Sequence, residues 1–175
     1  YSGQFDTLET HFEGDSRILK VIPDHREYLL SKLKPTIFSR AVMGPMDLPG
    51  IEIKRTILDR MFADVLHAAG VQMSSLATKG EFILVQKENV PPIEIVVKRA
   101  LIGSPKHIYK GIMDTPTRNG GQLTAGGEHD PYVRFDWRNP LPDDDLCMPE
   151  GLADQFIDAE QAKKTALKAF GAMRE

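Results

Sequence analysis

The sequence predicts an α+β fold whose first sheet is mostly antiparallel. Short β-rich segments separated by turns come first, followed by one long helix, a β-hairpin, a further strand, a long loop and a final helix. Strands and helices do not alternate one by one, as they would in a doubly wound parallel sheet. The 175 residues are 41% hydrophobic and 27% charged, which is ordinary for a globular domain and excludes disordered and disulfide-stapled chains.

The first forty residues are predicted to form an antiparallel meander. Apolar and β-branched residues fill segments 17–22 and 28–33, with turn signals at 13–15 and 23–26. Phe5, Leu8 and Phe12 are interpreted as part of the β segment that leads to the first turn. Two Pro and two Gly between residues 43 and 50 predict a loop.

Residues 51–70 carry the strongest helix pattern in the chain. Ile53, Ile57, Met61 and Val65 repeat every four residues and are predicted to form the buried face. Gly70 stands where a helix stop is expected. A single amphipathic helix is therefore predicted between the meander and the next strands.

The second half of the chain is predicted to hold strands, a long loop and a closing helix. Segments 71–73, 81–85 and 93–98 are typical of strands. Residues 103–150 are predicted to be irregular, and so long a loop inside a compact domain is usually functional or disordered. Asp158 is a candidate N-cap with Gln161 three residues later. The face expected to be buried consists of Ala159, Ala162, Ala166, Ala169 and Met173.

Net charge and cysteine content limit the classes of partner and of metal site that the chain can have. A net charge of −3 gives no general attraction for a nucleic acid backbone, and no apolar run is long enough for a membrane helix. Cys147 is the only cysteine, so neither an intrachain disulfide nor a cysteine zinc site is possible. The acidic run 143–145 is interpreted as a solvated loop and not as a metal site. We expect small-molecule partners, no nucleic acid, no membrane, and a reducing, cytoplasmic compartment.

A glycine turn between the first two strands is a candidate phosphate site. It comprises Gly14, Asp15, Ser16 and Arg17, and such a turn can present backbone N–H groups to phosphates. The alternative is a hairpin glycine that supplies only the turn.

Two adjacent cations at the end of a strand form a second candidate site. Lys98 and Arg99 are followed by Gly103 and Ser104, which offer backbone N–H groups and a hydroxyl. Cations beside such a turn suit a phosphate or a carboxylate. The alternative is an edge strand that carries solvated cations.

A third candidate lies after a Gly-Gly pair. His129 and Asp130, before Pro131, can donate or accept protons, although neighbouring residues rarely point the same way and so are unsuited to chelating a metal together. The alternative is a surface turn.

Read together, these segments resemble SAICAR synthetase, the phosphoribosylaminoimidazole-succinocarboxamide synthase family of purine biosynthesis. The order and approximate spacing match from about residue 12 to residue 170. The segments that carry the resemblance are residues 13–17, residues 82–94, Val96-Val97-Lys98 with Gly103-Ser104, and His129-Asp130-Pro131. The resemblance implies a two-lobed fold related to ATP-grasp and kinase-like folds. Residues 1–90 would form an antiparallel β-lobe with one helix, and residues 91–175 a central α+β lobe.

The resemblance also implies an activity, in which ATP phosphorylates the carboxylate of an aminoimidazole ribonucleotide and the amine of aspartate then displaces phosphate. Lys98 and Ser104 would hold the phosphate of the nucleotide substrate, with Gly103 allowing close approach, and Arg99 would be a further substrate-binding residue. His129 and Asp130 would face the aminoimidazole or the amino acid. The turn formed by residues 14–17 would cover the phosphates of ATP, and Mg²⁺ would assist.

The chain departs from the family pattern at several positions. The family usually has Arg where this chain has Lys98, Gly-Lys where it has Gly14-Asp15, and Lys-Asn-Asp where residues 124–126 are Thr-Ala-Gly. Arg17 is a candidate to replace the cation lost at Asp15. These changes favour, as an alternative, a paralogous ligase of specialised nucleoside metabolism that joins another carboxylate and amine.

Family members continue beyond the final helix into a hairpin that carries the Mg²⁺ ligands, whereas this sequence ends at Glu175. We therefore expect no metal ligands in this chain and no ATP hydrolysis by the chain alone. A homo-oligomer or a second chain would complete the site. A third alternative is a non-catalytic homologue that acts as a nucleotide-binding module or a subunit.

Overall fold

The computed structural model describes residues 1–39, 42–100, 112, 115–124, 126–138 and 146–174. The chain divides into two compact units, Tyr1–Asn89 (unit 1) and Val90–Arg174 (unit 2). Both units combine antiparallel strands with helices, which confirms the predicted α+β class.

Unit 1 is built on a five-stranded antiparallel sheet in the order β1-β2-β3-β7-β6. Its first three strands form the predicted meander. The second and third strands pair from Arg17 opposite Leu33 to Val21 opposite Leu29. The predicted strand at 71–73 is wrong, since the strand begins at Ser75. The strands of the described part of unit 1 are β1 Thr10–Glu13, β2 Arg17–Val21, β3 Tyr28–Leu33, β4 Thr36–Ser39, β5 Gly44–Asp47, β6 Ser75–Lys79 and β7 Phe82–Gln86.

The N-terminus is a short 3₁₀ helix, Ser2–Thr7, where β structure was expected. Phe5 and Leu8 both lie in the core cluster with Ile22 and Leu30. Residues three apart lie above one another on a 3₁₀ helix, so this turn directs both side chains to the same side, as a strand would not.

Residues 43–50, which were predicted to form a loop, contain the second strand of a hairpin. This strand, β5, pairs with β4 in a separate two-stranded sheet. Pro45 lies opposite Phe38. A two-stranded ribbon consists of edge strands only, and an edge strand tolerates the missing N–H of proline. The loop prediction for residues 43–50 is therefore wrong over β5.

The predicted helix is present as α1, Ile51–Ala68, but its predicted buried face is wrong. Ile53, Ile57, Met61 and Val65 are 42–57% exposed. The helix contacts β3, β4 and β6. The side chains that α1 buries are Thr56, Ala63 and Leu66.

Unit 2 contains a three-stranded antiparallel sheet in the order β10-β9-β8, with α3 packed on β8 and β9. Its core comprises Phe135, Met148, Ala153 and Ala159. Residues 103–150 were predicted to be irregular, which is wrong over β9 and β10. The alternation of Val133, Phe135 and Trp137 that marks β9 was obscured by the Gly pairs and Pro131 before it. The described elements of this unit are β8 Ile93–Ala100, β9 Glu128–Trp137, β10 Leu146–Met148, α2 Glu150–Ala153 and α3 Ala159–Ala172.

The predicted start of α3 is confirmed. The Asp158 carboxylate accepts a hydrogen bond from the backbone N–H of Gln161 at 2.8 Å. Ala159 is 1% exposed, whereas Met173, which was expected to be buried, is 51% exposed. Met173 is the C-cap residue, just beyond the end of α3.

Candidate functional site

A cavity of about 380 Å³ opens in unit 2 beside the irregular end of the β8–β9 pair. Its lining combines two guanidinium groups, two carboxylates and one imidazole. It includes three of the residues singled out from the sequence, namely Arg99, His129 and Asp130. The full lining is Arg99, Glu128, His129, Asp130, Pro131 and Arg174.

A β-bulge creates this lining. Lys98 pairs with Tyr132 and Ala100 pairs with Glu128, so one residue of β8 faces three residues of β9. The extra residues form the His129-Asp130-Pro131 segment. Bulges re-aim side chains and often lie next to active sites. Proline is tolerated there because it interrupts no regular ladder hydrogen bond.

Arg99 is the residue of the cavity that is best placed to bind an anion. Its Nη2 lies 2.7 Å from Oε2 of Glu128, and its side chain is 26% exposed whereas that of Glu128 is 65% exposed. Nη1 of Arg99 is buried and has no hydrogen-bond partner within the described part of the chain. A buried donor left unpaired is costly, so this nitrogen favours the binding of an oxygen ligand.

His129 makes a hydrogen bond to the neighbouring residue. Its Nδ1 lies 2.7 Å from the carbonyl oxygen of Asp130. A carbonyl only accepts, so Nδ1 donates a proton in this hydrogen bond. The ring also stacks on Tyr132, with centroids 5.5 Å apart and planes at 23°.

Arg174 is the functional candidate that sequence reasoning missed. It follows α3, and its guanidinium lies 5.8 Å from the centre of the Phe170 ring, a cation–π contact. A lone Arg near the end of a helix carries no motif, and its position depends on how α3 packs on β8. Only the tertiary structure could identify it.

Lys98 and Arg99 were grouped as one cationic site, but Lys98 does not line this cavity. Gly103 and Ser104, the other members of the predicted phosphate site, lie outside the described residues, as do the acidic residues 143–145.

A buried ion pair on β9 was also missed from the sequence. Arg134 donates a hydrogen bond through Nη2 to Oδ2 of Asp136, and the two side chains are 13% and 5% exposed. Burial acts to lower the pKa of Arg134, but the hydrogen bond and the charge of Asp136 outweigh it and the pKa is raised. The spacing of Arg134 and Asp136 could have indicated the pair, because residues two apart lie on the same face of a strand.

The glycine turn in unit 1 is held by its own backbone. The N–H of Gly14 donates to the carbonyl of Arg17 at 3.0 Å, and the carbonyl of Ser16 accepts from Lys34 at 2.9 Å. Lys34 Nζ also lies 2.6 Å from Oε1 of Glu13, and this hydrogen bond lowers the pKa of Glu13. Asp15 and Arg17 are exposed. Lys34, which was not part of the sequence motif, therefore places a cation beside the turn.

The described ranges contain no group of three or more His, Cys, Asp or Glu side chains placed to hold a metal ion. None of the helices in the described part of the chain is both long and apolar enough to cross a bilayer.

The sequence matches no protein-family model. A curated relative, bifunctional cordycepin biosynthesis cluster protein 3 from Cordyceps militaris, is 36% identical over 137 residues. The match covers 73% of this chain but only 15% of that protein's length, so the chain corresponds to a small part of it.

Solved SAICAR synthetase structures match at lower identity and higher coverage. The phosphoribosylaminoimidazole-succinocarboxamide synthase from Ehrlichia chaffeensis is 18% identical, with a TM-score of 0.74 over 94% of this chain and 67% of that one. The SAICAR synthase from Saccharomyces cerevisiae, complexed with SAICAR, is 16% identical, with a TM-score of 0.71 over 94% and 61%. A type-2 SAICAR synthetase in complex with ADP is 19% identical, with a TM-score of 0.73 over 94% and 66%. The predicted fold is confirmed: this chain has the fold of the SAICAR synthetases.

Proposed function

We propose that the protein is an ATP-dependent carbon–nitrogen ligase that joins a carboxylated aminoimidazole ribonucleotide to aspartate. The observation that supports this most is a mixed-charge cavity at a β-bulge within a SAICAR-synthetase fold that extends over 94% of the chain. ATP would be the co-substrate.

The chemistry needs an activated carboxylate, because a carboxylate is a poor electrophile at neutral pH. The carboxylate oxygen attacks the γ-phosphorus of ATP, forming an acyl phosphate and releasing ADP. The amine then attacks the acyl carbon, the C–O bond to phosphate breaks, and the amine loses a proton as the amide forms. Positioning and charge neutralisation provide most of the catalysis in such transfers.

The cavity charges suit the amino acid substrate. Arg99 and Arg174 provide guanidinium groups for carboxylates, which they bind in a planar fork. Glu128 and Asp130 provide acceptors for an ammonium group. His129, which makes its hydrogen bond to Asp130 through Nδ1, would use its other ring nitrogen to take the proton that the amine loses.

The phosphate-binding roles are proposed from the sequence pattern. Lys98, with Gly103 and Ser104, would hold the nucleotide's phosphate. The turn formed by residues 14–17 would approach the phosphates of ATP, with Lys34 supplying a cation that Asp15 does not.

The first test measures ADP release by the intact gene product with 5-aminoimidazole-4-carboxylate ribonucleotide and aspartate. Arg99→Ala should raise the KM for aspartate about 10- to 100-fold, because a hydrogen bond to a charged group contributes about 1.5–3 kcal/mol. Lys164→Ala removes an exposed cation of α3, 66% exposed, and serves as the matched control that should leave KM unchanged. Equal effects of the two variants would contradict the proposed role of the cavity.

A second candidate is a paralogous ligase of specialised nucleoside metabolism. It is favoured because the curated relative, at 36% identity, is a cordycepin biosynthesis cluster protein, whereas the SAICAR synthetases are 16–19% identical. ADP release across a panel of carboxylated nucleosides and amines separates the two. Activity that requires another carboxylate or amine would support the paralogue.

A non-catalytic subunit is the alternative of a different class. Calorimetric titration of ADP and of aspartate distinguishes it, since binding without turnover under every substrate pair would support a binding module. Absence of both binding and turnover would contradict all three proposals.

A further inference from the structure

Two residues of the cavity, Arg99 and Glu128, form an ion pair that a ligand can replace. Nη2 of Arg99 lies 2.7 Å from Oε2 of Glu128, and the side chain of Glu128 is 65% exposed. Nη1 of Arg99 is left without a hydrogen-bond partner among the described residues. An ion pair with a largely exposed member contributes little to stability, so a ligand that satisfies both members can displace it.

Only the side chain of Glu128 has to move for Arg99 to become free. The backbone of Glu128 is held, because this residue pairs with Ala100 across the sheet and follows a turn in which Gly127 N–H donates to the carbonyl of Thr124 at 2.8 Å. Rotation of an exposed side chain takes nanoseconds or less. The exchange of partners therefore requires no rearrangement of the fold.

The ion pair discriminates between ligands by their charge. A carboxylate alone would bind Arg99 in a planar fork through both terminal nitrogens, but it would leave Glu128 as an unpaired anion beside it. A ligand that also carries an ammonium group gives the displaced Glu128 a donor. We propose that a zwitterionic amino acid inserts between Arg99 and Glu128, with its carboxylate on Arg99 and its ammonium group on Glu128. This inference rests on the proposed function, because it identifies how the amino acid substrate of that reaction binds.

The remaining charges of the cavity fit the same class of ligand. Arg174 provides a second guanidinium for the additional carboxylate of aspartate, and Asp130 provides a second acceptor for the ammonium group. A simple anion would face two carboxylates in this lining, and a simple cation would face two guanidinium groups. Such unpaired or like charges select against both and favour a ligand that carries charges of both signs.

The test compares aspartate with succinate, which has the same two carboxylates but no amino group. Isothermal titration of the intact gene product should give a Kd for aspartate at least about 10-fold below that for succinate, because only aspartate pairs the displaced Glu128. Glu128→Gln should weaken aspartate binding and strengthen succinate binding, so that the ratio of the two Kd values falls at least about 10-fold. A purely structural role of Glu128 would weaken the binding of both ligands.

Glu160→Gln is the matched control, since it makes the same chemical change in the ion pair with Lys164, where the Glu160 side chain is 76% exposed. It should leave the ratio within about twofold of the wild type. Glu128→Ala repeats the test should Glu128→Gln prove unfolded by circular dichroism. Three results would each overturn the proposal: no binding of aspartate, equal Kd values for aspartate and succinate in the wild type, or a ratio that the Glu128 variants change no more than Glu160→Gln does.

ADP release by the same preparations separates this inference from the ligase proposal. Aspartate-dependent ADP release with the same KM for aspartate in the wild type and in Glu128→Gln would contradict the exchange of partners and leave the ligase. The expected Kd ratios without ADP release from any substrate pair would support the exchange and contradict the ligase.

Discussion

The two long helices pack on their sheets in the same way but look different in sequence. α3 places Ala159, which is 1% exposed, against the core of unit 2, and α1 places Ala63, which is 6% exposed, against unit 1. Small side chains let a helix axis approach a sheet closely. In α1 a ridge of large apolar residues lies on the opposite side, so the strongest hydrophobic period marks the exposed face and not the packed one.

The helices differ in how they begin. The Asp158 carboxylate accepts from the N–H of Gln161, and Asp154 accepts from the N–H of Ala159 at 3.1 Å. α1 begins after Gly50, which has φ of 86° and offers no side-chain cap. α3 is thus fixed at its start by hydrogen bonds, whereas α1 relies on its contacts with strands.

The largest effect should follow from enlarging a small residue on the packed face. Ala159→Leu inserts three carbons into a fully buried site and should lower the free energy of unfolding by about 1–3 kcal/mol. Ala68→Leu makes the same change at an exposed position of α1 and should alter it by less than about 0.5 kcal/mol. Urea unfolding at low protein concentration measures both. Equal losses would mean that close packing does not distinguish the two faces.

The sequence predicted the elements with regular patterns better than the faces they bury. β2, β3 and the cap of α3 follow from alternation and from Asp158, which are local properties. The 3₁₀ start around Phe5 and the pairing of β5 depend on distant partners. The buried face of α1 depends on side-chain size relative to the distance between helix and sheet, which periodicity does not contain.

The cap of α3 should have the next largest effect. Asp158→Ala removes the acceptor for Gln161 N–H and should cost about 0.5–2 kcal/mol of unfolding free energy. Asp158→Asn keeps an acceptor oxygen and should recover most of this loss. If Asn proved as destabilising as Ala, the charge of the carboxylate, and not its hydrogen bond, would be what stabilises the start of α3.

The candidate site was predictable only in part, for a similar reason. Arg99, His129 and Asp130 were found because cations and a His-Asp pair are recognisable motifs, and a β-bulge brings them to one cavity. Arg174 was missed because it joins the cavity only through the packing of α3. Lys98 was grouped with Arg99 in the sequence but is not among the residues that line this cavity.

The smallest effect should come from truncating the ridge of α1. Ile57 is 55% exposed, so Ile57→Ala removes little buried surface, and the higher helix propensity of Ala offsets part of that loss. The free energy of unfolding should therefore change by less than about 0.5 kcal/mol, as urea unfolding would measure. A loss of about 2–5 kcal/mol is the cost of emptying a core position, and it would place this side of α1 against the rest of its own chain.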